Sequence, residues 1–154
     1  MYMQQCKRKK TMHAAVNMPL AAGAVLSAIA AMLHLGIIAG GPAWYRFFGA
    51  GERMARAAEQ GRWYPTLVTA CIAAVLGAWS AYALAGAGII SALPLLKAAL
   101  VAITAVYLLR AFAYAPLVLA KGGRITPFVV WSSLICLVYG LVHLVGLVQR
   151  WQAL

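Results

Sequence analysis

Four long apolar runs, separated by short basic or glycine-rich breaks, organise this chain: Pro19–Ala39, Thr66–Gly86, Leu93–Leu117 and Phe128–Val148. Each offers about 20 residues with few or no charges. At about 1.5 Å per residue, each crosses the roughly 30 Å hydrocarbon core of a bilayer as a helix. In hydrocarbon the backbone must satisfy its own hydrogen bonds, which makes such runs helical. The alternating segments of about ten residues that a β-barrel would need are absent. The pattern predicts an all-α fold, an integral membrane four-helix bundle built as a single transmembrane domain over residues 1–154.

Residues 42–65 form the one connection of any size. Within it Glu52–Gln60 reads as a short interfacial helix between helices one and two, with Glu52 and Arg56 at i, i+4. Trp44-Tyr45-Arg46-Phe47-Phe48 and Trp63-Tyr64-Pro65 flank it as aromatic, partly basic bands at headgroup level. The short turns Gly86–Ser91 and Lys121–Arg124 make helices two and three, then three and four, antiparallel neighbours. At the end of helix one, the Gly36/Gly40 spacing permits close backbone approach between helices, and Gly41-Pro42 stops the helix.

Each helix carries a stripe of small or polar residues at steps of three and four, which keeps one face aligned along a left-handed bundle. Because lipid rewards apolar surface, these faces point inward. Counting along the helices sorts the costly groups into two layers. His34, Tyr107, Arg110 and Tyr114 share a level near the loop side, within reach of Glu52. Lys97, His143 and Tyr139 belong to a second layer towards the termini. Arg110 is the most expensive of these, at about 2.5–3.5 kcal/mol for an arginine at a helix centre, unless it snorkels to headgroup phosphates. His34 and His143 sit about 10–15 Å apart in depth, which opposes a shared haem.

Composition narrows the chemistry. Apolar residues make up 65% and charged residues 10% of the 154, with a mean hydropathy of +0.86. Glu52 and Glu59 are the only acidic side chains, and both fall outside the spans. No carboxylate pair is available in the membrane for proton-coupled exchange, and no Asp/Glu/His cluster can hold a hard metal. No catalytic residue, metal or cofactor is predicted. The net charge of +11 is spread over helix ends, which suits lipid headgroups rather than nucleic acid. Cys6, Cys71 and Cys136 form no CxxC pair, against a quinone-linked disulfide-forming enzyme.

Residues 1–17 are a basic leader containing Lys7-Arg8-Lys9-Lys10. It resembles a signal-peptide n-region, and Ala28-Ile29-Ala30 resembles a cleavage site. The apolar run nevertheless continues to Ala39, beyond the roughly 7–15 residues of a signal core, so it is read as helix one. A start at Met12 or Met18 would remove the leader from the mature chain. With the leader present the basic residues of the two sides balance. The first helix then favours cytoplasmic termini in a bacterial inner membrane. Without it the balance reverses.

The run from His34-Leu35-Gly36 through Trp44-Tyr45-Arg46-Phe47-Phe48-Gly49-Ala50-Gly51-Glu52, with Trp63-Tyr64-Pro65 and Leu141-Val142-His143-Leu144, resembles small four-helix inner-membrane proteins of bacteria. That family has no assigned activity, so the resemblance implies an architecture and no chemistry. The gross plan is also similar to DoxX-like and sterol-isomerase-like bundles. The acidic cavity residues of sterol-isomerase-like proteins have no counterpart here.

Three functions fit these features. The leading one is a non-enzymatic bundle that packs with the lipid bilayer, with itself as a homo-oligomer, or with a membrane complex. The second is a binder or enzyme for an amphiphile (a quinone, isoprenoid or lipid headgroup). There Arg110 would hold an oxygen, His34 would exchange a proton, and Tyr107 or Tyr114 would orient the ligand. The third is a small anion transporter working as a dimer.

Overall fold

The computed structural model describes residues 16–154. The basic run at 7–10, Cys6 and the alternative start Met12 lie outside the described residues. Among the described residues the chain forms five helices and no strand: α1 (Met18–Phe47), α2 (Glu52–Glu59), α3 (Trp63–Ala87), α4 (Leu96–Ala120) and α5 (Pro127–Arg150). Helices α1, α3, α4 and α5 are each long and apolar enough to cross a membrane. The short α2 lies between the first two of them, as the charge pattern predicts. The architecture is consistent with a multi-pass membrane protein.

α1 packs along α3, and α4 packs along α5. Contacts of α1 with α5 and of α3 with α4 close the ring, leaving α1 and α4 on a diagonal without close backbone approach. Leu20, Leu76, Leu100, Ile103 and Leu147 fill the centre together with Tyr107 and Tyr139. A second cluster of Ile37, Tyr45 and Ala55 docks α2 onto the loop-side end of α1. Many large apolar side chains, among them Met32, Leu109, Phe112 and Val148, face outward as a lipid-contacting surface requires.

The helix ends follow local chemistry. Asn17 caps α1, its Oδ1 accepting the Leu20 N–H at 2.9 Å, with Pro19 in the first turn. The helix does not stop at Gly41-Pro42. It breaks there, Gly41 taking φ 64° and ψ −152°, and helical structure resumes to Phe47. Gly41 can adopt the left-handed region at little cost. Pro42 cannot donate to the preceding turn, yet its fixed φ suits the first turn of a new helical segment.

The same break changes the role of Gly36 and Gly40. A Cβ on Gly40 would collide with the Trp44 indole, and one on Gly36 would lie 3.3 Å from Trp44 Cζ3. The two glycines therefore seat an indole from their own helix rather than a neighbouring backbone. At the other end of the chain's second hairpin, α4 begins at Leu96 and not at Leu93. Pro94 interrupts the run, and Leu95 holds a left-handed conformation at φ 55°.

Candidate functional site

The most polar part of the bundle interior is a group of side chains drawn from all four long helices. Ser27 of α1 and Tyr107 of α4 share a hydrogen bond of 2.9 Å between their hydroxyls, both side chains being buried. This bond joins the two diagonal helices through the centre. The Tyr107 ring makes edge contacts with Trp79 of α3 and Tyr139 of α5, with centroids 5.0 and 5.4 Å apart. Ser80 of α3 donates to the Ala24 carbonyl of α1 at 2.8 Å.

His143 of α5 completes this layer. It is wholly buried, with its ring centroid 5.3 Å from that of Tyr107. Its Nδ1 lies 2.8 Å from the Tyr139 carbonyl. A carbonyl only accepts, so Nδ1 is the donor. Nε2 has no hydrogen-bond partner among the described residues. Opposite it stands Gly23 of α1, where a Cβ would come within 2.7 Å of His143 Cε1. Close approach of α1 and α5 at this level therefore depends on Gly23 having no side chain.

The loop-side group assembles only in part. Arg110 stacks on Tyr114, its guanidinium carbon 3.5 Å from the ring centroid. Arg110 Nη2 reaches Ser132 Oγ at 3.4 Å, while Nη1 is buried without a partner among the described residues. His34 is half-buried, with Nδ1 donating to the Ala30 carbonyl at 2.7 Å. His34 lies seven residues beyond Ser27, and Ser132 lies seven before Tyr139. By helical rise His34 sits about 10 Å from the central layer on the loop side, whereas Arg110 is three residues, about 4.5 Å, past Tyr107 and reaches on to Ser132 through its side chain. The guanidinium thereby approaches the depth of His34, but the two residues stand on diagonal helices. Tyr107, counted to their level from the sequence, belongs instead with Ser27 and His143.

Glu52 is engaged elsewhere. Arg46 grips its carboxylate with Nε and Nη2, both at 3.1 Å, and Arg56 Nε adds a contact at 3.0 Å. Arg46 also reaches Glu59 at 2.8 Å. Hydrogen bonds from Arg46 and then Arg56 hold the Glu52 carboxyl down at about 2. This ion-pair group ties α2 to the end of α1, as does the burial of Ala55.

Lys97 leaves the second layer. Its Nζ donates to the Trp151 carbonyl at 2.9 Å and lies 4.0 Å from the Trp151 ring centroid. Trp151 is eight residues past His143, about 12 Å of helix rise away from the histidine. The termini side instead has a polar junction that the sequence pattern did not single out. Asn17 Nδ2 donates to Gln149 Oε1 at 2.8 Å, and the Asn17 N–H donates to the Ala87 carbonyl at 3.0 Å. Arg150 Nη2 donates to that same carbonyl at 3.0 Å. The two donors satisfy the last turn of α3 and gather α1, α3 and α5 at one point. A buried-end asparagine between a leader and a span is the one sequence signal that could have marked it.

Chemically, the central layer is a set of hydroxyl–hydroxyl, hydroxyl–carbonyl and imidazole–carbonyl pairs that leaves His143 Nε2 unpaired among the described residues. The loop side is a fixed cluster of two carboxylates and two guanidiniums, with Arg110 set deeper. Among the described residues, no three of His, Cys, Asp and Glu come together as a metal-ligand set. No family model, curated protein or solved structure matches this chain.

Proposed function

We propose that this chain is a non-enzymatic multi-pass protein of a bacterial inner membrane, whose bundle packs with lipids, with itself or with a membrane complex. The observation that carries this reading is the hydrogen bond between Ser27 and Tyr107 at the centre of the bundle. Together with Ser80–Ala24 and the imidazole of His143 seated on Gly23, it turns polar side chains of four helices towards one another. Interhelical hydrogen bonds in membranes are worth about 0.6 kcal/mol on average, and they fix helix rotation as well as adding stability. With the basic leader present, the termini lie on the cytoplasmic side.

One observation favours a second reading, an amphiphile site at Arg110. Its buried Nη1 has no partner among the described residues, and the side-chain carboxylates of Glu52 and Glu59 are bound by Arg46 and Arg56. An intramembrane cation without an acidic partner is suited to the oxygen of a quinone or a lipid headgroup.

Native mass spectrometry of the protein released from mild detergent separates the two. A packing role predicts that His34→Ala and Arg110→Gln change stability or oligomer distribution and leave the same lipids attached. A discrete adduct of one mass, present in the wild type and absent from Arg110→Gln, would replace the first reading with the second.

A further inference from the structure

A groove of about 540 Å³ opens between the break in α1, the end of α2 and the first turns of α3. Its walls are apolar along Pro42, Leu67 and Ala70, and its lining includes Tyr45, Arg62 and Trp63. That volume lies within the roughly 300–1,000 Å³ typical of ligand sites. Ala70 is seven residues beyond Trp63, so the groove extends about 10 Å along α3 from its interfacial end into the span. Gly41 and Gly61 also line it, and a Cβ on either would meet nothing within 4 Å among the described residues.

The charge balance at the groove mouth is uneven. Glu52 and Glu59 are the only acidic side chains in the chain. Glu52 is held by Arg46 and Arg56, and Glu59 by Arg46. Arg62, exposed at the start of α3, is left with no acidic partner among the described residues. It stands beside Trp63, whose indole is largely exposed where an interfacial aromatic belongs. An unmatched cation at headgroup depth, above an apolar groove running into the bilayer, is complementary to a negatively charged lipid.

We propose that this groove binds one anionic phospholipid, with an acyl chain along Leu67 and Ala70 and the phosphate at Arg62. The proposal rests on the reading of the chain as a lipid-contacting membrane bundle. The two can fail separately: release of the protein from membranes by alkaline carbonate would remove that reading.

The test uses the full chain in mild detergent, titrated with phosphatidylglycerol, phosphatidylcholine or inorganic phosphate and followed by native mass spectrometry. Phosphatidylglycerol should be retained as a single adduct about five-fold better than phosphatidylcholine, the equivalent of one basic contact near an anionic surface. Inorganic phosphate should neither bind nor displace it. Arg62→Gln should abolish the preference, while Arg53→Gln on the exposed face of α2 should leave it intact. Ala70→Leu should reduce binding of both lipids without touching the charge, and Leu67→Trp supplies the same steric block at an exposed position. Far-ultraviolet circular dichroism identifies the variants that remain folded. Equal retention of the two lipids by the wild type overturns the proposal. So does a preference that survives Arg62→Gln, unchanged binding in the folded steric variants, or displacement by phosphate, which would mark a free-anion site.

Discussion

His143 and Gly23 are a matched pair: the Cε1 side of the imidazole occupies the space where a side chain on residue 23 would stand. A Cβ there would lie 2.7 Å from Cε1 and 3.0 Å from each ring nitrogen. Wholly buried as it is, His143 has little room to retreat. Gly23→Ala should lower thermal stability in detergent by about 1–3 kcal/mol, the usual cost of overpacking. At Gly77, in α3, a Cβ would meet nothing within 4 Å among the described residues. Gly77→Ala should leave the unfolding midpoint unchanged or raise it slightly, because alanine is the better helix former. Equal losses in the two variants would show that the His143 contact is not what matters.

The Ser27–Tyr107 bond links two helices whose backbones do not come close to each other. Tyr107→Phe keeps the ring contacts with Trp79, Tyr139 and His143 and removes only the hydroxyl. It should cost about 0.6 kcal/mol, with an upper bound near 1.7 kcal/mol. Adding Ser27→Ala should cost less than the sum of the two single changes, since it removes the hydroxyl left alone. Strict additivity in a double-mutant cycle would mean that the bond contributes nothing.

Asn17 acts both as the cap of α1 and as a bridge to Gln149. Asn17→Ala should destabilise by about 1 kcal/mol through the lost cap alone. Hydrogen exchange should speed up at the first turn of α1 and at the end of α5 together. Gln149→Ala should affect only the latter. Protection unchanged at α5 in Asn17→Ala would exclude the bridging role.

The Glu52 ion pairs make α2 docking sensitive to acid. The folded carboxyl titrates at about 2, below its ordinary value of 4.5. A depressed value means that the pairing contributes fully above pH 4.5 and is lost as pH falls from there towards 2. Limited proteolysis between Phe47 and Trp63 should therefore rise only over that interval. Glu52→Gln should show the raised cleavage already at neutral pH. High salt should reduce the difference between them, because the pairs are exposed. Cleavage that begins near pH 6 would point to another group.

Much of the architecture was readable from the sequence, since hydropathy alone places four spans to within a few residues at most ends. The extension of α1 to Phe47 was hidden because Gly-Pro ordinarily ends a helix, and whether another begins beyond it depends on what the new segment packs against. Here Tyr45 is buried against Ile37 and Ala55. Local spacing also found the Glu52–Arg56 pair. Depth counting put His34 and Arg110 at one level, but depth does not determine which helices stand on a diagonal. It also could not show that Tyr107 turns towards Ser27 rather than Arg110. The Gly23–His143 and Asn17–Gln149 contacts join opposite ends of the chain, and no local pattern encodes them.

The break at Gly41 has a consequence for how the protein fits its bilayer. A straight helix over all 30 residues of α1 would measure about 45 Å, well beyond a hydrocarbon core of about 30 Å. With Gly41 as the bend, the part from Met18 to Gly40 is about 35 Å long, close to the other three long helices at 25, 25 and 24 residues. The four spans then present nearly equal hydrophobic thickness, and the surplus of α1 is turned aside at the surface. Such a bundle needs only modest tilt and no thickening of the membrane around one oversized helix.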